Sequence, residues 1–150
     1  KTASLIANSS KAIGVLSNVD QESLNSLYFF GRQLGLAFQV VDDILDFTGN
    51  DEQLGKPAAS DLQSGYLTAP VFYALEENPR LSELINGKFS QKDDLDQALS
   101  LVRDSSAIKK SRELAEQFAS ESKDSISWLP DSPSKKALLE LPEFVISRLY

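Results

Sequence analysis

The stretch Leu34–Phe47 (LGLAFQVVDDILDF) is almost wholly apolar and carries one regularly spaced set of polar side chains. Those polar residues are Gln39, Asp42, Asp43 and Asp46. They fall at i, i+3, i+4 and i+7, so on an α-helix they share one face. Because the neighbouring positions are aliphatic or Phe, the pattern predicts a helix that is buried on most sides and whose carboxylates face an enclosed cavity.

Two acids that are one helical turn apart need a counter-charge. Asp42 and Asp46 repel each other by roughly a few tenths of a kcal/mol in water, and by more where solvent is excluded. Mg²⁺ would reverse that repulsion, since it prefers carboxylate oxygens and binds one or two of them together with substrate phosphates. The pattern favours a site for metal and diphosphate. The alternative is a solvated acidic face, although Lys, Glu or Ser usually borders such a face.

The composition is that of globular protein. The chain has 150 residues, of which 41% are hydrophobic and 25% are charged, enough for one domain with a real core. The net charge of −7 disfavours nucleic acid as a partner, and no basic amphipathic face for an anionic membrane is present. No apolar run approaches the roughly 18 residues that a membrane span requires.

Three residue types are absent, and each absence narrows the chemistry. Without Cys or His the chain has no disulfide framework, no thiolate metal site and no His-dependent catalytic triad. Carboxylates, Lys and hydroxyls remain to do chemistry. Met is also absent, so we expect Lys1 to lie inside a longer chain, with any targeting segment outside these residues.

The apolar periodicity is helical throughout and predicts an all-α fold with helices packed side by side. Asp20 is a candidate N-cap for a second helix that runs to about Phe47 or Thr48. Gly31 and Gly35 on that helix allow a close helix neighbour. The first helix is predicted to end near Ser17. Residues 49–60 are predicted to form a loop, and residues 61–65 a short turn of helix. A helix is then predicted to follow Thr68, and further helices to cover about 80–85, 91–103, 106–126 and 134–149.

Several ordered motifs give the chain a family resemblance. They are Lys1-Thr2, Phe38-Gln39-Val40-Val41-Asp42-Asp43-Ile44-Leu45-Asp46, Gly55-Lys56-Pro57, Asp61-Leu62 and Thr68-Ala69-Pro70. In these motifs the chain resembles the C-terminal half of trans-type isoprenyl diphosphate synthases, which elongate allylic diphosphates with isopentenyl diphosphate. The sequence of these motifs is most similar to that of long-chain polyprenyl synthases of the solanesyl type from cyanobacteria and plastids, which make quinone side chains.

The resemblance implies a partial antiparallel helical bundle of the isoprenoid synthase type. Residues 1–150 would be the C-terminal part of a single polyprenyl synthase domain, whose N-terminal half carries the first aspartate-rich motif. Alone, this segment is expected to be inactive. The resemblance also implies a homodimer, located in a cyanobacterial-type cytoplasm or in a plastid.

The family's metal ligands would fall on the acidic stripe. Asp42 would be the principal Mg²⁺ ligand, with Asp43 and Asp46 as further or water-mediated ligands. Asp61 could be a partner of Lys56 or of the metal, or equally an N-cap.

The other family positions would fall on the chain's Lys, Thr and Gln residues. Lys1 and Lys56 would contact the allylic diphosphate, and Thr2 and Gln39 would add hydrogen bonds near the reacting carbon. A frayed terminal lysine and a solvated loop lysine are the alternatives for Lys1 and Lys56. Phe38 and Phe47 would either line the prenyl cavity or belong to the core.

The chain departs from the family pattern in two ways: at Tyr66, and in lacking the first aspartate-rich motif, which the later acids do not replace. Tyr66 stands where many short-chain members have Lys, so one phosphate contact is missing. Asp93, Asp94 and Asp96 lie in a polar helix start, where they are best interpreted as solvated capping charges.

Two other functions compete with the synthase. A non-catalytic regulatory subunit of a heteromeric prenyl diphosphate synthase would keep the fold, but such subunits tend to lose acidic motifs. A class I terpene cyclase would share the fold and the diphosphate chemistry, but the DDILD spacing, the following Gly-Lys-Pro and the lack of an NSE-like motif disfavour it.

Overall fold

In the computed structural model the described residues are 1–49 and 60–150, and they form eight α-helices and no strand. The helices are α1 (Thr2–Leu16), α2 (Gln21–Thr48), α3 (Ser60–Gln63), α4 (Ala69–Glu77), α5 (Pro79–Asn86), α6 (Asp94–Arg103), α7 (Ala107–Ser125) and α8 (Pro133–Ser147). The all-α prediction is confirmed.

Local capping chemistry explains where the helices start. Asp20 accepts hydrogen bonds from the backbone N–H of Ser23 at 2.9 Å and from its hydroxyl at 3.1 Å, as an N-cap residue does. Ser132 caps α8 in the same way by accepting from the N–H of Lys135 at 3.0 Å. Thr68 occupies the N-cap position of α4 as predicted, but its hydroxyl makes no capping bond.

The chain divides into two compact units, Lys1–Val41 with Leu114–Tyr150, and Asp42–Glu113. In the first unit α1 lies against α2 along the two glycines of α2. A Cβ added to Gly35 would lie 2.5 Å from the Cα of Ala3, and one added to Gly31 would lie 2.6 Å from the Ile6 carbonyl oxygen. The prediction that these glycines admit a close neighbour is confirmed.

The second unit has its own apolar core, and Phe47 from the end of α2 belongs to it. The buried members are Phe47, Leu62, Val71, Ala74, Leu81, Leu84, Ala98, Val102 and Ala107. They come from α2 through α7, so the last turn of α2 is held by packing against the helices that follow it.

Candidate functional site

The acidic stripe lies on the continuous helix α2, and its members differ sharply in burial. Gln39 is exposed and Asp42 is half-buried. Asp43 and Asp46 are buried, with only 8% and 1% of their surface exposed. A solvated acidic face therefore does not describe Asp43 or Asp46. Asp42 is the acid of the stripe that is partly buried and still reachable from solvent.

Asp46 connects α2 to the start of α3. One carboxylate oxygen accepts a hydrogen bond from the Ser60 hydroxyl at 3.2 Å, and the other accepts from the backbone N–H of Asp61 at 3.3 Å. Satisfying both oxygens offsets the cost of burying this carboxylate. The helix α3 begins at Ser60 and Asp61 lies inside its first turn, so the N-cap alternative for Asp61 is wrong. Its predicted role as a partner of Lys56 or of the metal stays a prediction.

Thr2 and Gln39 are brought together in the structure. The Thr2 hydroxyl donates to the Gln39 side-chain oxygen at 3.4 Å, from the first turn of α1 to α2. Lys1 is the exposed N-cap residue of α1, and its carbonyl oxygen accepts from the N–H of Leu5. Two of the predicted site residues are therefore in contact, and Lys1 lies next to them in sequence.

Lys56 lies outside the described residues, so its predicted contact with diphosphate stays a prediction. Of the two aromatic residues, Phe47 is a fully buried core residue, which decides its two alternatives in favour of the core. Phe38 is half-buried, and the Arg148 guanidinium lies 4.8 Å from the centre of its ring, a cation–π distance.

The described carboxylates by themselves do not form a complete coordination sphere for a metal ion. Within residues 1–49 and 60–150 no group of three or more acidic side chains converges as metal ligands do. The set fits Mg²⁺ chemistry in another way, because that ion takes few protein carboxylates and completes its shell with water and phosphate oxygens. Asp42 fits such a ligand best by its burial, since it is half-buried whereas Asp43 and Asp46 are almost fully buried.

One contact at this end of α2 has no signal in the sequence. The Arg103 Nε–H, from the last residue of α6, donates to the backbone carbonyl of Phe47 at 2.7 Å. The two residues are 56 positions apart, and Arg103 stands in no motif. Only the packing of α6 against the end of α2 brings them together.

The comparisons with known proteins agree with this architecture. The Polyprenyl synthetase family matches residues 1–102. A prenyl transferase from Synechocystis sp. is 52% identical over 150 residues, which is 100% of this chain and 46% of the relative. The chloroplastic solanesyl diphosphate synthase 2 of Arabidopsis thaliana is 46% identical over 149 residues, which is 99% of this chain and 36% of the relative.

A solved structure gives the same result in three dimensions. The polyprenyl synthase from Caulobacter crescentus CB15, complexed with calcium and isoprenyl diphosphate, superposes with a TM-score of 0.85 at 34% identity. The superposition covers 98% of this chain and 46% of that one.

An all-α chain with an acidic helix of this kind falls in the class of isoprenoid synthase folds, and the family match is more specific. The chain belongs to the polyprenyl synthetase family. It spans about half the length, or less, of the relatives that it matches. In the described part of the chain, no helix is both long and apolar enough to cross a membrane.

Proposed function

We propose that this chain is the C-terminal half of a long-chain trans-polyprenyl diphosphate synthase, which condenses isopentenyl diphosphate with an allylic diphosphate. The observation that carries the proposal is the DDILD stripe in a chain of this family, with Asp42 accessible and Asp46 locked into the fold. Residues 1–150 would be the C-terminal part of one synthase domain. The solanesyl synthase among the relatives supports a long product and a role in making quinone side chains.

The three aspartates of the stripe are the proposed ligands of the metal that binds the diphosphate. Asp42 would be the principal ligand of Mg²⁺, and Asp43 and Asp46 would act as further ligands or through water. When bound, the metal would stabilise the negative charge that develops on the leaving diphosphate. The Caulobacter crescentus polyprenyl synthase is complexed with calcium and isoprenyl diphosphate, which supports the use of a divalent metal together with a diphosphate.

Lys1 and Lys56 would add positive charge around the diphosphate, as compact point charges on flexible side chains. Thr2 and Gln39 would act as a hydrogen-bonded pair near the reacting carbon, because the Thr2 hydroxyl donates to Gln39. An orienting contact between the two side chains reduces the freedom that each loses when substrate binds. With Lys1, they form the proposed catalytic group.

The proposed partner of the chain is the N-terminal half of the same synthase, and α1 offers a surface for it. The helix is apolar on two opposite sides: Ala3 and Ala7 lie against the glycines of α2, whereas the other side carries exposed aliphatic side chains. Those are Leu5, Ile13 and Leu16, exposed by 71%, 64% and 87%. A helix that is apolar on both sides is normally covered on both.

Three further proposals follow from the family. The 150 residues alone should not turn over substrate, because the opposing acidic motif would come from the other half. The complete enzyme should be a homodimer. The cyanobacterial and chloroplastic relatives support a cytoplasm of cyanobacterial type or a plastid as its location.

The test is prenyl transfer by the full-length polypeptide that contains this chain, with Mg²⁺, isopentenyl diphosphate and farnesyl or geranylgeranyl diphosphate. Asp42→Ala should lower kcat/KM at least about a hundredfold, the usual loss when an electrostatic group for the leaving charge is removed. Asp96→Ala is the matched control, since Asp96 is an exposed acid in the first turn of α6.

A different result would identify the competing function. A protein that has no transfer activity, yet changes the rate or product length of a partner synthase and is indifferent to Asp42→Ala, would be a regulatory subunit. Product analysis by chain length would test the long-chain assignment separately.

A further inference from the structure

The C-terminal end of α2 carries an excess of negative charge. The last carbonyl groups of a helix have no partner within the helix and form the negative end of its dipole. Cations are therefore favoured in the last turn, yet α2 has no basic residue there. It has Asp46 in its last turn instead, and Asp43 lies just before that turn, so the negative charge of the acids adds to that of the dipole.

Arg103 supplies the missing cation from another helix. Its Nε–H donates to the Phe47 carbonyl oxygen at 2.7 Å, a short hydrogen bond from a charged donor. The backbone that carries Arg103 is itself fixed, because its neighbour Val102 is fully buried in the core that also contains Phe47. A guanidinium on so rigid a support holds the last turn of α2 in one position.

The turn held by Arg103 carries the buried Asp46, and the buried Asp43 lies just before it. Asp46 is adjacent to Phe47 in the sequence, and its carboxylate continues the connection to Ser60 and to the N–H of Asp61. One chain of contacts thus runs from α6 through the end of α2 to the start of α3. A shift at Phe47 would change the orientation of Asp46 and Asp43 together.

We propose that Arg103 is a positioning residue for the acidic motif: by capping α2 it holds Asp43 and Asp46 in the orientation that metal and diphosphate binding requires. This inference rests on the proposed function. Partners that orient metal ligands typically contribute about tenfold to a hundredfold to metal affinity or activity. Arg103 would contribute in this way without touching the substrate.

The experiment compares Arg103→Met with the parent full-length polypeptide. Arg103→Met keeps the long apolar stem and removes the donor. We expect the Mg²⁺ concentration for half-maximal transfer to rise about tenfold, with KM for the allylic diphosphate rising more than kcat falls. Independently of activity, Mn²⁺ binding in the presence of inorganic diphosphate, measured by electron paramagnetic resonance, should weaken by a similar factor.

A second readout follows the helix end itself. The Gly49 N–H donates to the Leu45 carbonyl at 2.8 Å, so its hydrogen exchange reports on the last turn of α2 and should accelerate in Arg103→Met. Arg103→Lys keeps a charged donor and should stay within about threefold of the parent in Mn²⁺ binding. Arg80→Met is the matched control, because Arg80 is an exposed arginine paired with Glu83 on the same helix.

The outcomes separate the inference from the proposed function. If the parent binds Mn²⁺ with diphosphate and Arg103→Met binds it equally well, the positioning role is wrong and the proposed function stands. If Arg103→Lys loses as much as Arg103→Met, the hydrogen bond to Phe47 is not the cause. If the parent itself neither binds metal diphosphate nor transfers prenyl groups, the proposed function fails and this inference fails with it. Should Arg103→Met not fold, Arg103→Leu, whose side chain is shorter and also has no donor, replaces it with the same expectation.

Discussion

Asp42 and Asp46 belong to one motif and are one helical turn apart, yet the structure gives them different surroundings. Asp46 is buried with both carboxylate oxygens hydrogen-bonded within the protein, whereas Asp42 is half-exposed. An acid that already accepts two hydrogen bonds has less freedom to rearrange around an ion. At the residue scale, the hydrogen bonds of Asp46 connect it to the local fold, and we expect it to serve as a further or water-mediated ligand beside the more accessible Asp42.

Another acid, Glu77, is perturbed for structural reasons. Its carboxylate accepts hydrogen bonds from the Ser106 hydroxyl, from the Lys110 ammonium group at 2.9 Å and from the Ser106 N–H at 3.1 Å. These contacts, the Ser106 hydroxyl first, lower the pKa of Glu77 from 4.5 to about 2. The hydrogen bond with the Glu77 carboxylate raises the pKa of Lys110. Glu77 thus joins the end of α4 to the start of α7.

This pKa shift predicts a pH-dependent contribution to stability. Because the pKa of Glu77 is lower in the folded state, its contribution is present above pH 4.5 and is lost as the pH falls towards about 2. Glu77→Gln should therefore lower the Tm at pH 7, and the difference from the parent should shrink between pH 4.5 and 2. Thermal unfolding followed by circular dichroism at a series of pH values measures it.

The control for Glu77→Gln is Glu140→Gln. Glu140 is an exposed acid whose carboxylate lies 3.9 Å from the Lys136 ammonium group, a surface pair of the kind that contributes little. A Tm difference for Glu77→Gln that stays constant from pH 7 to pH 2 would contradict the assigned role.

At the scale of elements, α1 and α2 approach each other more closely than ordinary side chains permit. The space above Gly35 is occupied by the backbone of Ala3, which cannot move aside as a flexible side chain could. Glycine costs a helix interior about 1 kcal/mol relative to alanine, so two glycines in one helix need a compensating gain. The close packing of α1 on α2 provides that gain.

Gly35→Ala should therefore destabilise the protein despite improving helix propensity. The added Cβ would lie 2.5 Å from the Ala3 Cα, and overpacking of this kind costs about 1–3 kcal/mol. The propensity gain of about 1 kcal/mol offsets only part of it. Chemical denaturation measures the free energy of unfolding. Gly87→Ala is the comparison, since a Cβ there would have its nearest contact at 3.2 Å and Gly87 is at a helix end. If Gly87→Ala lowered the free energy of unfolding more than Gly35→Ala does, the contact between Gly35 and Ala3 would not be tight.

At the scale of the whole molecule, the exposed apolar side of α1 supports the proposal that an N-terminal half covers this helix. Large exposed aliphatic residues at helical spacing are uncommon on a protein surface unless they bind a partner. This chain spans only about half the length of its prenyl transferase relative from Synechocystis sp.. The proposed N-terminal half provides a covering for that side.

Ile13 provides the test at this scale. In the full-length polypeptide Ile13→Ala should lower the free energy of unfolding by about 2 kcal/mol, the cost of truncating a buried aliphatic side chain. In the 150-residue chain expressed by itself the same substitution should change it by less than about 0.5 kcal/mol, since Ile13 is 64% exposed there. Asn8→Ala, an exposed polar position on α1, is the control. An equally small effect of Ile13→Ala in the full-length polypeptide would mean that α1 is not covered.

The sequence by itself determined the helices, the close approach at Gly31 and Gly35, the acidic stripe and the family. Hydrophobic periodicity, caps and glycine spacing act over one or two helical turns, so they can be identified without knowing what lies opposite. The helix predicted to follow Asp20 and to run to about Phe47 or Thr48 ends at Thr48 in the structure.

The tertiary structure alone decided which polar groups far apart in the sequence touch each other. The bond from Arg103 to the Phe47 carbonyl, the contacts of Glu77 with Ser106 and Lys110, and the burial of Asp46 each depend on which helices the core brings together. The first pair is 56 residues apart, far beyond the reach of a local pattern. Such contacts are set by side-chain packing over the whole unit, and that packing leaves no periodic signal in the sequence.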